Sequence, residues 1–193
     1  MTDSPRTDAR ERILTAAYDL FSRRGVRDVG VDELIQRSGV ANATFYRHFA
    51  SKDDLVLAFL ERREELWTVG TIVEKALKRV GTAREQLLAV FDVFDEWFRR
   101  RDYEGDPFMN VFLEMGVDHP LGQASLERLN TVRRMIQQRA EDANMREPEA
   151  FARSMQLLMK GSIMGARMGD LDSALRARQL AGWLIDEFSQ PTR

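Results

Sequence analysis

The side chains of residues 41–49 are of types suited to contact with a polyanion. The stretch reads Ala-Asn-Ala-Thr-Phe-Tyr-Arg-His-Phe, and the window 34–52 around it carries Arg37, Arg47 and Lys52 but no acidic residue. Such a locally cationic window favours the phosphates of a nucleic acid. It predicts a nucleic-acid contact. The alternative is a solvated surface turn that happens to be basic.

Composition excludes several other kinds of chemistry. The chain has 193 residues, a hydrophobic fraction of 44% and a formal net charge of −2, so a protein that binds nucleic acid over its whole surface is not expected. With no cysteine and two histidines, a transition-metal site is not expected, and no catalytic triad, phosphate loop or cofactor motif is present. No signal peptide or apolar span occurs, which predicts a soluble cytoplasmic protein without a membrane partner.

Helical periodicity runs through the chain and predicts an all-α fold. The first helix starts near Thr7 and ends before Gly25, and the second runs from Val31 to Ser38. A three-residue turn, 39–41, then leads into a third helix. Two short helices joined by a turn that contains glycine are typical of the helix-turn-helix, whose second helix enters the major groove of DNA. Further helices are predicted from 52 to beyond 67 and over 82–101, 107–117, 121–143, 148–169 and 172–188.

The third helix divides into a packing face and a contact face. Phe45 and Phe49 lie four residues apart and are expected to pack on the first two helices. Side chains on the remaining arc are expected to reach DNA: Asn42, Thr44 and Arg47 suit base edges, while Tyr46, Arg47, His48 and Lys52 suit phosphates. The full predicted DNA-contact set is Asn42, Ala43, Thr44, Tyr46, Arg47, His48 and Lys52.

Three blocks of residues carry a resemblance to a known family. They are Arg12-Ile13-Leu14-x-Ala16-Ala17-x-x-Leu20-Phe21-x-x-x-Gly25, Val31-x-x-Leu34-Ile35-x-x-Ser38-Gly39-Val40 and Thr44-Phe45-Tyr46-Arg47-His48-Phe49-x-Ser51-Lys52-x-x-Leu55. Over residues 10–60 the chain resembles the DNA-binding domain of the tetracycline-repressor (TetR) family of bacterial transcriptional regulators. The resemblance implies a DNA-binding domain over 1–50, a connecting helix from 52, and a helical ligand-binding and dimerisation domain over 51–193.

The chain departs from the family pattern at two places. Gly30 and Val31 stand where the family often has hydroxyl residues that cap the second helix and touch phosphate, and the acids Asp32 and Glu33 follow. Asn42 stands where a lysine is common. We therefore expect recognition to depend more heavily on the third helix than the family pattern implies.

Aromatic and methionine side chains are frequent in the remaining two thirds of the chain. As a set they are candidates for a pocket that binds an apolar or planar ligand, because methionine adapts its shape and aromatic rings stack. For each residue singly, the alternative is an ordinary packed core. The predicted pocket residues are Trp67, Phe91, Phe94, Trp97, Phe98, Phe108, Met109, Phe112, Met115, Met155 and Met159.

Three glycines at a spacing of four suggest a close approach to another helix. The spacing predicts Gly161, Gly165 and Gly169 on one side of the penultimate helix, where each costs stability relative to alanine. In the resembled family the last two helices form the four-helix bundle of a dimer. The predicted interface is Gly161, Gly165, Gly169, Leu180, Leu184, Ile185 and Phe188, with packing of these helices within one chain as the alternative.

Together these features predict a regulator of transcription and not an enzyme. We expect a homodimer that binds a palindromic operator in double-stranded DNA and, as a repressor, is released by a small apolar or aromatic effector. One alternative is a regulator that responds to no ligand. Another, of a different class, is an all-α enzyme or small-molecule carrier whose N-terminal turn is incidental.

Overall fold

A computed structural model describes residues 8–78 and 81–189, which form helices joined by turns and contain no strand. This confirms the all-α prediction. The α-helices are α1 Ala9–Arg24, α2 Val31–Ser38, α3 Asn42–His48, α4 Lys52–Arg63, α5 Ala83–Phe98, α6 Pro107–Met115, α7 Pro120–Asp142, α8 Pro148–Arg167 and α9 Ser173–Ser189. A π-helical segment, π1, spans Glu64–Leu77. Within the described residues, no helix is both long and apolar enough to cross a membrane.

The chain folds into two compact units. The first comprises Met1–Arg63 and Pro107–Leu126, and the second comprises Glu64–Asp106 and Glu127–Arg193. The sequence predicts a domain boundary at residue 50. In the structure, by contrast, α4 and α6 belong to the first unit. For α4 the reason is visible in the packing, because Phe59 makes edge-to-face contacts with Tyr18 and Phe21 of α1.

In the first unit, α1 supplies the surface on which the short helices pack. Its residues Ile13, Leu14, Ala17 and Phe21 are buried, as their helical spacing predicts. Asp8 caps the N-terminus by accepting a hydrogen bond from the backbone N–H of Arg10. The helix ends at Arg24, directly before Gly25, as the sequence predicts.

The turn between α2 and α3 requires its glycine. Gly39 has a φ of 63°, in the left-handed region that other residues rarely adopt, and its N–H donates to the carbonyl oxygens of Ile35 and Gln36. The chain then turns through Val40, which is buried, into α3. This is the helix-turn-helix that the spacing predicts.

In the second unit, α5 is the central helix. It begins with a capping box in which Thr82 and Glu85 satisfy each other's backbone N–H groups. Nine of its residues are buried, including Phe91, Phe94 and Phe98, so it is covered on more than one side, as its broad apolar pattern predicts. Residues of π1, α7, α8 and α9 complete the core around it.

The helix predicted to continue from Lys52 beyond Trp67 changes character at Glu64. From there the backbone widens into π1, where the hydroxyl of Thr71 donates to the carbonyl oxygen of Leu66, five residues earlier, at 3.0 Å. The sequence 68–73, Thr-Val-Gly-Thr-Ile-Val, contains five β-branched residues and a glycine, all of which weaken α-helix propensity. Local propensity therefore agrees with the loss of regular α-helix here.

Candidate nucleic-acid interface

Helix α3 presents the predicted contact residues on the side opposite its buried face. Phe45 is fully buried and Phe49 nearly so, which confirms their predicted packing role. The guanidinium of Arg10 also lies over the ring of Phe49, 5.5 Å from its centre. Between these anchors Tyr46 is 50% exposed and Arg47 is exposed. Two buried rings thus hold a seven-residue helix whose intrinsic stability is low.

The other α3 candidates differ in how far they reach into solvent. Asn42 and Ala43, in the first turn, are exposed, whereas Thr44 and His48 are half-buried. In the part of the chain that the structure describes, no hydrogen bond or ion pair engages the side chain of Arg47 or His48. These two side chains are therefore available to an external anion.

Arg37, another cation of the basic window, is already paired. Its Nε and Nη2 donate to Oδ2 of Asp19 at 3.1 and 2.7 Å, and Arg23 lies on the other oxygen at 3.2 Å. The hydrogen bonds from Arg37 hold the pKa of Asp19 below its usual value, with a smaller contribution from the charge of Arg23. Arg37 is thus a weaker attractor of phosphate than its position in the sequence indicates.

Lys52 is likewise committed within the unit. Its Nζ donates to the carbonyl oxygens of Val26 and Val29 at 2.8 and 3.0 Å, which leaves one of three N–H donors for another partner. Its predicted contact with phosphate stays a prediction. In the structure, Lys52 also stabilises the loop between α1 and α2 through these two hydrogen bonds.

The N-terminus of α2 carries no side-chain cap, as the residues at 30 and 31 imply. Gly30 has extended backbone geometry and makes no capping hydrogen bond. Of the two acids that follow, Glu33 pairs with Arg24, whose Nη2 also donates to the carbonyl oxygen of Asp28 at 2.7 Å. Asp32 is exposed. Arg24 therefore neutralises Glu33 but not Asp32 at the start of α2.

The predicted pocket residues divide between the two units. Phe108, Met109, Phe112 and Met115 lie on α6 in the first unit, and the other seven lie in the second. Among those seven, Phe91, Phe94, Phe98 and Met155 are almost fully buried, which is what the packed-core alternative expects of them. Trp67 is half-buried, with its ring centre 4.3 Å from that of Trp97.

Tyr103 belongs to the same aromatic cluster, although its sequence context does not single it out. Its ring lies edge-on to Trp97 at 4.9 Å, and its hydroxyl donates to the carbonyl oxygen of Ile163 at 2.8 Å. Burial raises the pKa of Tyr103 well above its usual value. A tyrosine after a helix end gave no periodic signal from which this position could be inferred.

The predicted dimer residues have unequal surroundings. Gly169 is not in a helix, because α8 ends at Arg167 and residue 169 has a φ of 97°, so the proposed row of three glycines was wrong at this position. A Cβ at Gly165 would meet Ser173 of the same chain at 2.9 Å. Ile185 is buried within the second unit, and Phe188 packs on Phe151.

Gly161 and Leu180 are exposed, and further apolar residues that the sequence analysis missed are exposed on the same two helices. Leu184 is half-buried. The missed residues are Leu157 and Met164 on α8 and Leu175 and Trp183 on α9; Met168, directly after the end of α8, is exposed as well. On α8, the positions 157, 161 and 164 follow helical spacing, and this pattern could have identified them.

Sequence and structure comparisons agree on one family. Residues 13–59 match the family of bacterial regulatory proteins called tetR. A TetR-family transcriptional regulator from Streptomyces coelicolor has the same fold, with a TM-score of 0.86 and 23% identity over 94% of this chain and 96% of that one. A putative tetR transcriptional regulator from Streptomyces avermitilis reaches a TM-score of 0.83 and 26% identity over 96% and 100% of the two chains.

Similar proteins include both an activator and a repressor. The HTH-type transcriptional activator FasR of Mycolicibacterium smegmatis is 36% identical over 101 residues, which are 52% of this chain and 45% of that protein. An HTH-type transcriptional repressor of Mycobacterium tuberculosis is 35% identical over 98 residues, 42% of this chain and 52% of that protein. The chain thus spans about half the length of these relatives.

The fold and the exposed helix α3 (the reading helix) define a helix-turn-helix protein. Over residues 13–59 the chain matches the tetR family of bacterial regulatory proteins, and the fold of the whole chain is that of the two solved regulators.

Proposed function

We propose that this protein is a homodimeric repressor of transcription that binds a palindromic operator and is released by a small apolar or aromatic ligand. The observation that carries the DNA-binding part is the exposed face of α3, where Arg47 is unpaired among the described residues and Tyr46 stands beside it on a buried Phe45. Each subunit would place residues 42–48 in one of two successive major grooves, about 34–36 Å apart.

Selection from a random pool of duplex DNA tests this part directly. Full-length protein is expected to enrich a two-fold symmetric sequence, and footprinting on the intergenic DNA beside its own gene should protect two half-sites one helical turn apart. Failure to retain any duplex at low salt would remove the regulator hypothesis and favour the carrier or enzyme alternative. Enrichment of an asymmetric single half-site would argue against a dimer.

The homodimer is supported by the apolar surface of α8 and α9. Soluble monomers rarely expose a large contiguous apolar patch, and here Leu157 and Met164 on α8 are exposed at helical spacing while Trp183 on α9 is 60% exposed. Gly161 lies in this stripe with open space around its Cβ position, so a second helix has room to approach closely. A two-fold symmetric pairing of these helices would cover the stripe on both copies.

Sedimentation equilibrium separates this surface from other exposed apolar positions. Trp183→Glu is expected to convert the dimer to monomer, because it places a charge in the interface. Leu113→Glu, at a 70% exposed position on α6, is the matched control and should remain dimeric. Equal effects of the two substitutions, or a monomeric wild type, would refute the assignment.

The ligand is the part of the proposal that depends most on family resemblance. Its physical support is the tryptophan pair Trp67 and Trp97, whose fluorescence should report a planar apolar molecule bound beside it. A library of such compounds is expected to contain one that quenches this fluorescence, raises the melting temperature and releases DNA. A compound that binds but leaves DNA affinity unchanged would favour the ligand-independent alternative.

A further inference from the structure

The loop between α1 and α2 is held by two oppositely charged side chains. From α6, Oε2 of Glu114 accepts hydrogen bonds from the backbone N–H of Val26 at 2.8 Å and of Arg27 at 3.0 Å. From the start of α4, Nζ of Lys52 donates to the carbonyl oxygens of Val26 and Val29. The peptide groups on both sides of Val26 are therefore fixed, one through its N–H and the other through its carbonyl oxygen.

The loop backbone is shaped to receive the carboxylate. Gly25 has a φ of 84°, which favours glycine, and a Cβ there would collide with the carboxylate of Glu114. Val26 and Val29, which belong to the loop, are fully buried, so the packing of their side chains also fixes the position of the loop. Because a charged acceptor makes stronger hydrogen bonds than a neutral one, the double contact at Oε2 is a substantial constraint on these residues.

What the loop carries is the start of the DNA-binding motif. Gly30 ends it, α2 follows at Val31, and α2 leads through the Gly39 turn into the reading helix. Since Gly30 provides no side-chain cap, the position of the α2 N-terminus is set by the loop before it and not by a local hydrogen bond.

We propose that Glu114 is a positioning residue for DNA binding: opposed by Lys52, its carboxylate fixes the loop that delivers α2 and, through α2, the reading helix to the groove. This rests on the proposed function. It gives α6, which is more than fifty residues away in the chain, a direct hold on the DNA-binding motif. A displacement of α6 would withdraw the acceptor and leave two backbone N–H groups without it.

Whether replacing Glu114 raises or lowers the affinity for DNA distinguishes a positioning role from a purely electrostatic one. A carboxylate in the DNA-binding unit repels phosphate, so its charge alone lowers affinity for DNA. Only its hydrogen bonds can raise affinity. Glutamine at 114 keeps an acceptor oxygen at the same reach without charge, aspartate keeps the charge but is one methylene too short, and alanine keeps neither.

The experiment compares wild type with Glu114→Gln, Glu114→Asp and Glu114→Ala, using the duplex that the wild-type protein selects from a random pool. Glu61→Ala is the control, because Glu61 is an exposed carboxylate of the same unit with no hydrogen bond or ion pair among the described residues. Glu114→Ala and Glu114→Asp are expected to weaken binding roughly tenfold with an unchanged salt slope, as lost hydrogen bonds would. Glu114→Gln should match wild type or bind more tightly, and Glu61→Ala should stay within about twofold of wild type.

Amide hydrogen exchange supplies a readout that needs no DNA. Protection of the Val26 and Arg27 amides should fall in the Ala and Asp variants and return in the Gln variant, with core amides of α1 unchanged as the check on folding. Equal losses of DNA affinity in the Gln and Ala variants, or unaltered exchange at both amides, would overturn the proposal. If the wild type selects no duplex, the proposed function fails first and this role of Glu114 fails with it.

Discussion

Replacing Arg47 by alanine should remove the principal uncommitted cation of the reading helix. Arg37 is paired with Asp19, and Lys52 donates two of its three N–H groups to carbonyl oxygens of the loop between α1 and α2. Because each neutralised phosphate contributes about 0.9 to the slope of log affinity against log salt, Arg47→Ala should lower that slope by about 0.9 if the guanidinium meets phosphate. If it meets a guanine edge instead, the expected cost is about 1–3 kcal/mol with relaxed preference at one base pair.

Arg37→Ala is the matched control, since it also removes one arginine from the same basic window. Both substitutions remove one positive charge, but the guanidinium of Arg37 is held against Asp19 and is therefore less available for direct contact with phosphate. The slope is therefore expected to change much less than in Arg47→Ala. Fluorescence anisotropy of a labelled duplex, titrated at several salt concentrations, measures both slopes and both affinities.

Two results would refute this reasoning. If Arg37→Ala lowered the slope as much as Arg47→Ala, pairing with Asp19 would not determine which cations act on DNA. If Arg47→Ala changed neither slope nor sequence preference, the exposed face of α3 would not be the surface that meets DNA.

Two further predictions concern the stability of the first unit. Phe45→Ala should lower the free energy of unfolding by about 3–5 kcal/mol, measured by urea denaturation, because it empties a fully buried ring site; a loss below about 1 kcal/mol would contradict the anchoring role. Asp19→Asn should destabilise the protein at neutral pH, since the folded-state pKa of Asp19 lies below its ordinary value of 3.8 and ionised Asp19 is the stabilising form. The difference from wild type should be full well above pH 3.8 and shrink as pH falls below it, and a difference that grew on acidification would contradict the sign.

The cationic window shows where counting charges along a sequence is insufficient. The window contains three Lys or Arg residues and no acid, yet Asp19, which neutralises Arg37, lies 18 residues earlier. Two of the three donors of Lys52 are taken by carbonyl oxygens 23 and 26 residues away. Pairing across such separations depends on how α1, α2 and α4 pack, so no local rule assigns it.

On the predicted dimer surface, too, the spacing of residues along the sequence did not show which side chains are exposed. Glycine spacing drew attention to Gly165 and Gly169, but the first meets Ser173 of its own chain and the second follows the end of α8. The exposed stripe of α8 that includes Leu157, Gly161 and Met164 has equally regular spacing. Periodicity identifies a helix face but does not say whether the chain itself covers that face.

By itself, the sequence determined the all-α class, the first helix, the helix-turn-helix and the two faces of α3. These follow from spacing within a few turns and from glycines with special backbone geometry, which are local properties. Tertiary structure alone decided which cations remain unpaired, that α6 belongs to the first unit, and that Glu114 reaches the backbone of Val26 and Arg27. Each of these depends on contacts between residues far apart in the chain, and the energy of such contacts is defined only once the helices have packed.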